Sequence, residues 1–474
     1  MKKTVALLLC ILFVAVFFTA CSEACSSAGN CAHSWALTAF VTEQTEVPFA
    51  AEFTCEKCKQ KKVDSFTYND IDIPLISLTG DLSAIDEADS VSKDIKVIVG
   101  FSYQSKEESF SCVASVKYQG KSTASYAKKN YSVNLLEADS TTKKGVTFQD
   151  SWGAGSKFVL KSNYTDPSAA RNIVLSALYG EIAHDPRLTD PYEELVNGGA
   201  VDGYPVLLYV NGQYRGLYDW NIRKDAWLFG MGDDTAGEAV VCGTEMDVIN
   251  GDDGLVIYPE EGRPSKAWEY EYVNENYGEE GWAVESFNEM LFAIRNADSA
   301  QVKSVIAEYT ELPRLLDVIL FNCIFGAEDN ITGNHVFCTY DGKKWAPVPY
   351  DLDRTLGRSG VSLVEPNADL AEVIECNLLY KIVLEAYFEE ICARYTSLRD
   401  RILTVENVMS LFEEKLQGVD DRYFAAELQK WQEATWLESE NAAEITGLQK
   451  ELDFIRSFLA GRFAYCDTFF TSEN

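Results

Sequence analysis

Between residues 71 and 163 apolar and polar positions alternate. "IDIPLISLTG", "DIKVIVGFSYQ" and "SFSCVASVKYQG" repeat with a period of two and predict β-strands, and "YAKKNYSVNLL" and "KFVLKSN" continue the series. The period changes in "DPSAARNIVLSALYGEIA". Asp166 is placed to cap a helix, Pro167 suits its first position, and Ile173, Val174, Ala177, Leu178 and Ile182 make one apolar face. "YPVLLYVNGQYRGLYDW" then reads as a hairpin turning at Asn211-Gly212. Beyond residue 280 the pattern is helical, through "WAVESFNEMLFAIRNA", "QVKSVIAEYT" and "LPRLLDVILFNCIFGAE" to "LYKIVLEAYFEEICARYTSLRDRIL". No internal repeat is apparent. The expected class is α+β, a β-rich part with one helix followed by a helical part.

Composition narrows the classes. A chain of 474 residues has room for two or three domains, and 47% hydrophobic content describes a folded protein. Its 74 acids against 41 bases leave a net charge of −33, which repels nucleic acid and anionic surfaces. Polyanion binding is not expected except at a local basic or metal-loaded site.

The first 21 residues read as an export signal. "MKK" gives the positive start and "TVALLLCILFVAVFFTA" the apolar stretch, ending in "FTAC". This resembles a bacterial lipoprotein signal in which Cys21 is lipidated, although Phe18 departs from the usual Leu and leaves ordinary cleavage open. The apolar run is short for a membrane span. The expectation is an extracytoplasmic protein, lipid-anchored at the bacterial cell surface. Residues 22–63 form a small Cys/His-rich module. Cys31, His33, Cys55 and Cys58 supply a C-x-H and a C-x-x-C pair around a β-rich stretch, the composition of a ribbon-like structural zinc site. A disulfide within or across the pairs is the alternative. The later cysteines have no regular spacing, unlike a disulfide scaffold.

Acids and an amide cluster behind core-like segments. "EDNITGN" holds Asp329 and Asn334 five positions apart, and "VPYDLDRTLG" adds Asp351 and Asp353 after a strand-like "KKWAPVPY". Phosphoryl transfer needs hard oxygen ligands for Mg²⁺ and a carboxylate to orient the attacking hydroxyl. Protein kinases meet both needs with an Asp-x4-Asn loop and a later Asp. Such a pair also arises by chance, and these residues could instead stabilise a loop and cap a turn.

Several motifs in one order carry a resemblance to the CotH kinase family, atypical kinase-like enzymes. "YQGKSTASYAKKNYSVNL", "FVLKSNYTDPSAARN", "LYVNGQYRGLYDW" and above all "EDNITGNHVFCTYDGKKWAPVPYDLDRTLG" are similar to its motifs. Gln119-Gly120-Lys121 departs from a frequent Arg-Gly, and Tyr350 replaces the usual Trp. The resemblance implies an atypical protein-kinase-like fold over residues 64–474, with a β-rich N-lobe to about 225 and a helical C-lobe from about 280. It implies Asp329 as catalytic carboxylate, and Asn334 and Asp351 as Mg²⁺ ligands. Asp353 is a further metal candidate, with Arg354 as its ion-pair partner. ATP phosphates fall to Lys129, Lys161 or Arg171, with Glu181 as the helix partner of Lys161; Lys121 is a weaker candidate. The implied reaction carries a phosphoryl group from ATP to a protein hydroxyl. A catalytically inactive surface or adhesion protein, and a transferase moving AMP on the same fold, are the other readings.

Overall fold

The alternating segments form strands, and seven of them close on themselves. The computed structural model describes residues 31–40, 49–66, 72–86, 95–120, 122–184, 192–243, 268–279, 281–369, 374, 377–432 and 434–471. The export segment with Cys21, and Lys121, lie outside these residues.

Three short strands come first: β1 (Trp35–Phe40), β2 (Phe49–Cys55) and β3 (Lys61–Phe66), in an antiparallel sheet. The third strand runs through the module boundary expected at residues 63/64. Ala51 and Phe53 of this sheet are buried in the same apolar cluster as the rest of the molecule.

The barrel follows. It contains β4 (Leu75–Thr79), β5 (Val97–Gln104), β6 (Ser109–Gln119), β7 (Asn130–Leu136), β8 (Lys157–Lys161), β9 (Gly203–Val210) and β10 (Gln213–Ile222). Its order is β10-β8-β7-β6-β5-β4-β9, closed by the β9–β10 hairpin. The parallel pairing of β4 with β9 is the step that removes the sheet edges. Asn211 and Gly212 turn the hairpin with φ of 52° and 79°, the double positive φ of a type I′ turn.

One turn, α1 (Ser83–Asp86), follows β4, and α2 (Arg171–Ala183) leaves β8. The helix expected from Asp166 thus starts at Arg171. Asp166 still serves its amide end, accepting from Ala170 N at 3.1 Å and Arg171 N at 2.9 Å. The capping chemistry was legible, but a turn intervenes before the helix.

A second sheet, ordered β12-β11-β13-β14, combines β11 (Ala239–Gly243) and β12 (Trp268–Val273) with β13 (His335–Thr339) and β14 (Ala346–Val348). Helices α3 (Trp282–Asn296), α4 (Val302–Tyr309), α5 (Leu312–Phe325) and α6 (Glu328–Thr332) lie between its halves in sequence. A small ribbon, β15 (Arg358–Ser359) and β16 (Ser362–Leu363), precedes α7 (Leu378–Arg399), α8 (Val405–Lys415), α9 (Asp421–Lys430) and α10 (Leu448–Thr471). The molecule is α+β, as its patterning predicts. Among the described residues no helix is long and apolar enough to cross a membrane.

Candidate functional site

Four neighbouring barrel strands present a row of side chains to a cavity of about 420 Å³. Register sets Lys117 opposite Ser132, Ser132 opposite Val159, and Val159 opposite Asn221. All four line the cavity. Successive strand residues face opposite ways, so Tyr131, Leu160 and Trp220 turn toward the core. Trp220 meets Phe101 of β5 at 5.7 Å between ring centroids, although β5 and β10 are not neighbours in the barrel. That contact crosses the interior. The cavity therefore sits on the barrel's outer face.

The facing wall comes from the second sheet and the segments flanking its β13–β14 pair. Cys242, Glu269 and Glu271 belong to β11 and β12; Asp329 and Asn334 precede β13; Tyr350, Asp351, Asp353 and Arg354 follow β14. Local structure explains this convergence. Helix α5 stops at Gly326, whose φ of 61° suits a left-handed cap, and the one-turn α6 then carries Asp329. The next residue, Asn330, is 3% exposed and clamps the other segment: its Nδ2 donates to Tyr350 O at 2.6 Å and its Oδ1 accepts from Tyr350 N at 2.8 Å. Asn172 of α2 takes the next hold, accepting from Leu352 N at 3.0 Å. Between the two anchors Asp351 adopts φ of 62°, a left-handed conformation that Asp tolerates better than most residues. Two buried amides thus hold the aspartate segment from both sides.

Charge in the cavity departs from that of the chain. Five acids and five bases line it, against 74 and 41 overall. Lys161 donates to Asp351, and its Nζ lies 3.2 Å from Asp353. Thr165 donates to Asp353 at 3.1 Å. Arg354 is 3.5 Å from Asp329 rather than serving only as a partner of Asp353. Burial pushes the Asp329 carboxyl above its ordinary pKa, opposed by Arg354 and reinforced by Asp353. Deeper along the wall, Lys224 and Arg223 share Glu271. Ser132 Oγ and Asn221 Oδ1 are buried without a hydrogen bond, which suits a polar ligand.

The structure brings Asp329, Asn334, Asp351, Asp353 and Lys161 to one cavity. It does not bring Lys129, Arg171 or Glu181 to the cavity. Lys129 is buried outside the lining. Arg171 is fully buried and pairs with Asp166 and Glu451, because its place at the start of α2 turns it into the core. Glu181 lies one helix length away and accepts from Asn407 at 2.8 Å, so Lys161 pairs with the two aspartates and not with a helix glutamate. Arg223 and Lys224, just past the end of β10, and Glu271 of β12 were missed, since isolated charges carry no spacing signal. Asn330 and Asn172 had none either.

Gln119 Nε2 donates to the Tyr350 hydroxyl at 3.3 Å, joining β6 to the aspartate segment. Lys224 sits over the Tyr350 ring, 4.7 Å from its centroid.

A second cluster lies apart. The ligand atoms of Cys31, His33, Cys55 and Cys58 all fall within 4.8 Å of one another.

A family model described as CotH kinase protein matches residues 116–466, from β6 into α10 and well over half of the chain. No curated protein matches it.

Proposed function

This chain belongs to the CotH kinase family, and on that premise we propose that it transfers the γ-phosphoryl group of ATP to a protein hydroxyl at a Mg²⁺-dependent site. One observation carries the reading: the Asp329, Asn334, Asp351 and Asp353 side chains share one cavity with Lys161, and bases there equal acids in number in a chain that is strongly acidic. The donor set is carboxylate and carboxamide oxygen, the hard ligands Mg²⁺ takes. The lysine ammonium spanning Asp351 and Asp353 supports the fit, because the pair already shares one positive charge. Asn334 and Asp351 would hold the ion, with Asp353 beside them; bound there, it neutralises charge on the phosphate oxygens.

The residues of the chain do the rest. Lys161 moves its charge from the aspartates to phosphate, and Lys224 and Arg223 supply more positive potential along the wall. Asp329 orients the acceptor hydroxyl and takes its proton on a carboxylate oxygen. Its raised pKa makes it a better proton acceptor than an ordinary surface Asp. The barrel then corresponds to the nucleotide-side lobe of a kinase and the helical part to the acceptor side. Export and a lipid anchor at Cys21 put this activity outside the cytoplasm.

A kinase-like protein without turnover is the second reading. Lys161 favours it, since it engages both metal-side acids. Incubation with Mg²⁺ and either γ- or α-labelled ATP, followed by mass spectrometry of modified proteins, separates these readings. Transfer of the γ-label alone is expected. Transfer of the α-label would mean nucleotidyl transfer, and no transfer despite ATP binding would mean a pseudokinase.

A further inference from the structure

We propose that Cys31, His33, Cys55 and Cys58 form a closed structural zinc site that staples together the N-terminal sheet, which packs on helix α9, independently of any phosphoryl transfer. The spacing of their atoms matches one tetrahedral ion. Zn–S bonds of about 2.3 Å and Zn–N bonds of about 2.0–2.1 Å give tetrahedral edges of about 3.8 Å between sulfurs and about 3.6 Å between sulfur and nitrogen. The Cys31 and Cys55 sulfurs are 4.0 Å apart, and Cys58 Sγ is 3.3 Å from His33 Nδ1. A disulfide requires about 2.05 Å, and all three cysteines are free thiols. Four protein ligands complete the tetrahedron and leave no position for substrate, which marks a structural rather than a catalytic ion.

Topology puts these ligands where a staple is needed. Cys31 and His33 lie just before β1, Cys55 ends β2, and Cys58 lies in the turn to β3. Cys55 fixes that turn through its backbone, donating to Gln60 O at 2.7 Å and accepting from Lys59 N at 2.8 Å. The site thus joins the entry of one edge strand to the opposite hairpin. The sheet needs this, because its buried apolar residues are few: Ala36, Ala51, Phe53 and Cys55. A sheet with so few buried apolar residues gains from a metal cross-link even though Ala51 and Phe53 join the main core. The strands pack on α9. Leu37 N donates to Thr446 O at 2.8 Å, and Glu56 pairs with Lys450 of α10 at 2.7 Å. The same α9 carries Glu427, which pairs with Lys128, just before β7, at 2.7 Å and accepts from Leu217 N of β10 at 2.7 Å. A fixed sheet therefore backs the helix that grips the barrel.

The test uses the full chain purified without chelator. Elemental analysis should find close to one zinc per chain, and Co²⁺ in its place should give thiolate-to-metal charge transfer with tetrahedral d–d bands. Chelation should expose residues 31–66 to hydrogen exchange while β5–β8 stay protected. Cys58→Ser should reduce zinc to background. If that variant does not fold, alkylation of the wild type replaces it: Cys31, Cys55 and Cys58 should react only after chelation. A chain without zinc, or with a disulfide among these cysteines in peptide maps, overturns the proposal. So does zinc that survives Cys58→Ser, or thiols that alkylate equally before and after chelation.

Discussion

Asp329 is under opposing influences that set how it responds to pH. Burial raises its pKa, while Arg354 at 3.5 Å favours the carboxylate. A proton acceptor works only when deprotonated, so transfer should rise with pH through a limb above the ordinary carboxylate range. Arg354→Gln removes the charge that favours the ionised form and should move that limb to higher pH. A pH–rate profile of both proteins checks this; an unmoved limb would separate Arg354 from Asp329. Histidine does not substitute in this role. The buried His335 is pushed down to about 3 by desolvation and stays neutral at working pH. At this scale the sequence was legible where spacing carried the signal, as in Asp329-x4-Asn334 and Asp351-x-Asp353. It was silent on Asn330, Asn172 and Lys224, whose roles depend on contacts with distant segments.

Elements meet through a buried ion network that the sequence disguised as chemistry. Arg171 at the start of α2 bonds Asp166 before it, Glu451 of α10 and the Thr355 carbonyl, and Arg358 shares Glu451. Side chains of all four charged residues are at most 1% exposed. Arg171→Met would leave Asp166 without its ion partner and Glu451 with one arginine. Breaking such a buried pair costs about 3–5 kcal/mol. Urea denaturation should show that loss equally with and without nucleotide. A variant of unchanged stability but weakened nucleotide binding would return Arg171 to the phosphate site. Strands, the Asn211-Gly212 hairpin and the helices after residue 280 were legible because period and turn residues are local signals. Barrel closure was not, since β4 pairs with β9 across more than a hundred residues, and no pattern within either strand names its partner.

As a whole, the molecule carries a net charge of −33, and the nucleotide proposed to bind it is itself an anion. Its cavity answers with equal numbers of acids and bases, and with two acids held around one lysine. On the proposed function, binding and turnover are carried by different residues, the aspartate segment for the metal nucleotide and Asp329 for the acceptor. The measurement that tests this most directly compares wild type with Asp329→Asn for Mg²⁺–ATP affinity and for transfer of γ-label. In its proposed role Asp329 acts mainly in the transition state, so affinity should stay nearly unchanged. Label transfer should fall by about two orders of magnitude or more, the usual contribution of a positioned proton acceptor. Equal transfer by the two proteins would contradict the account.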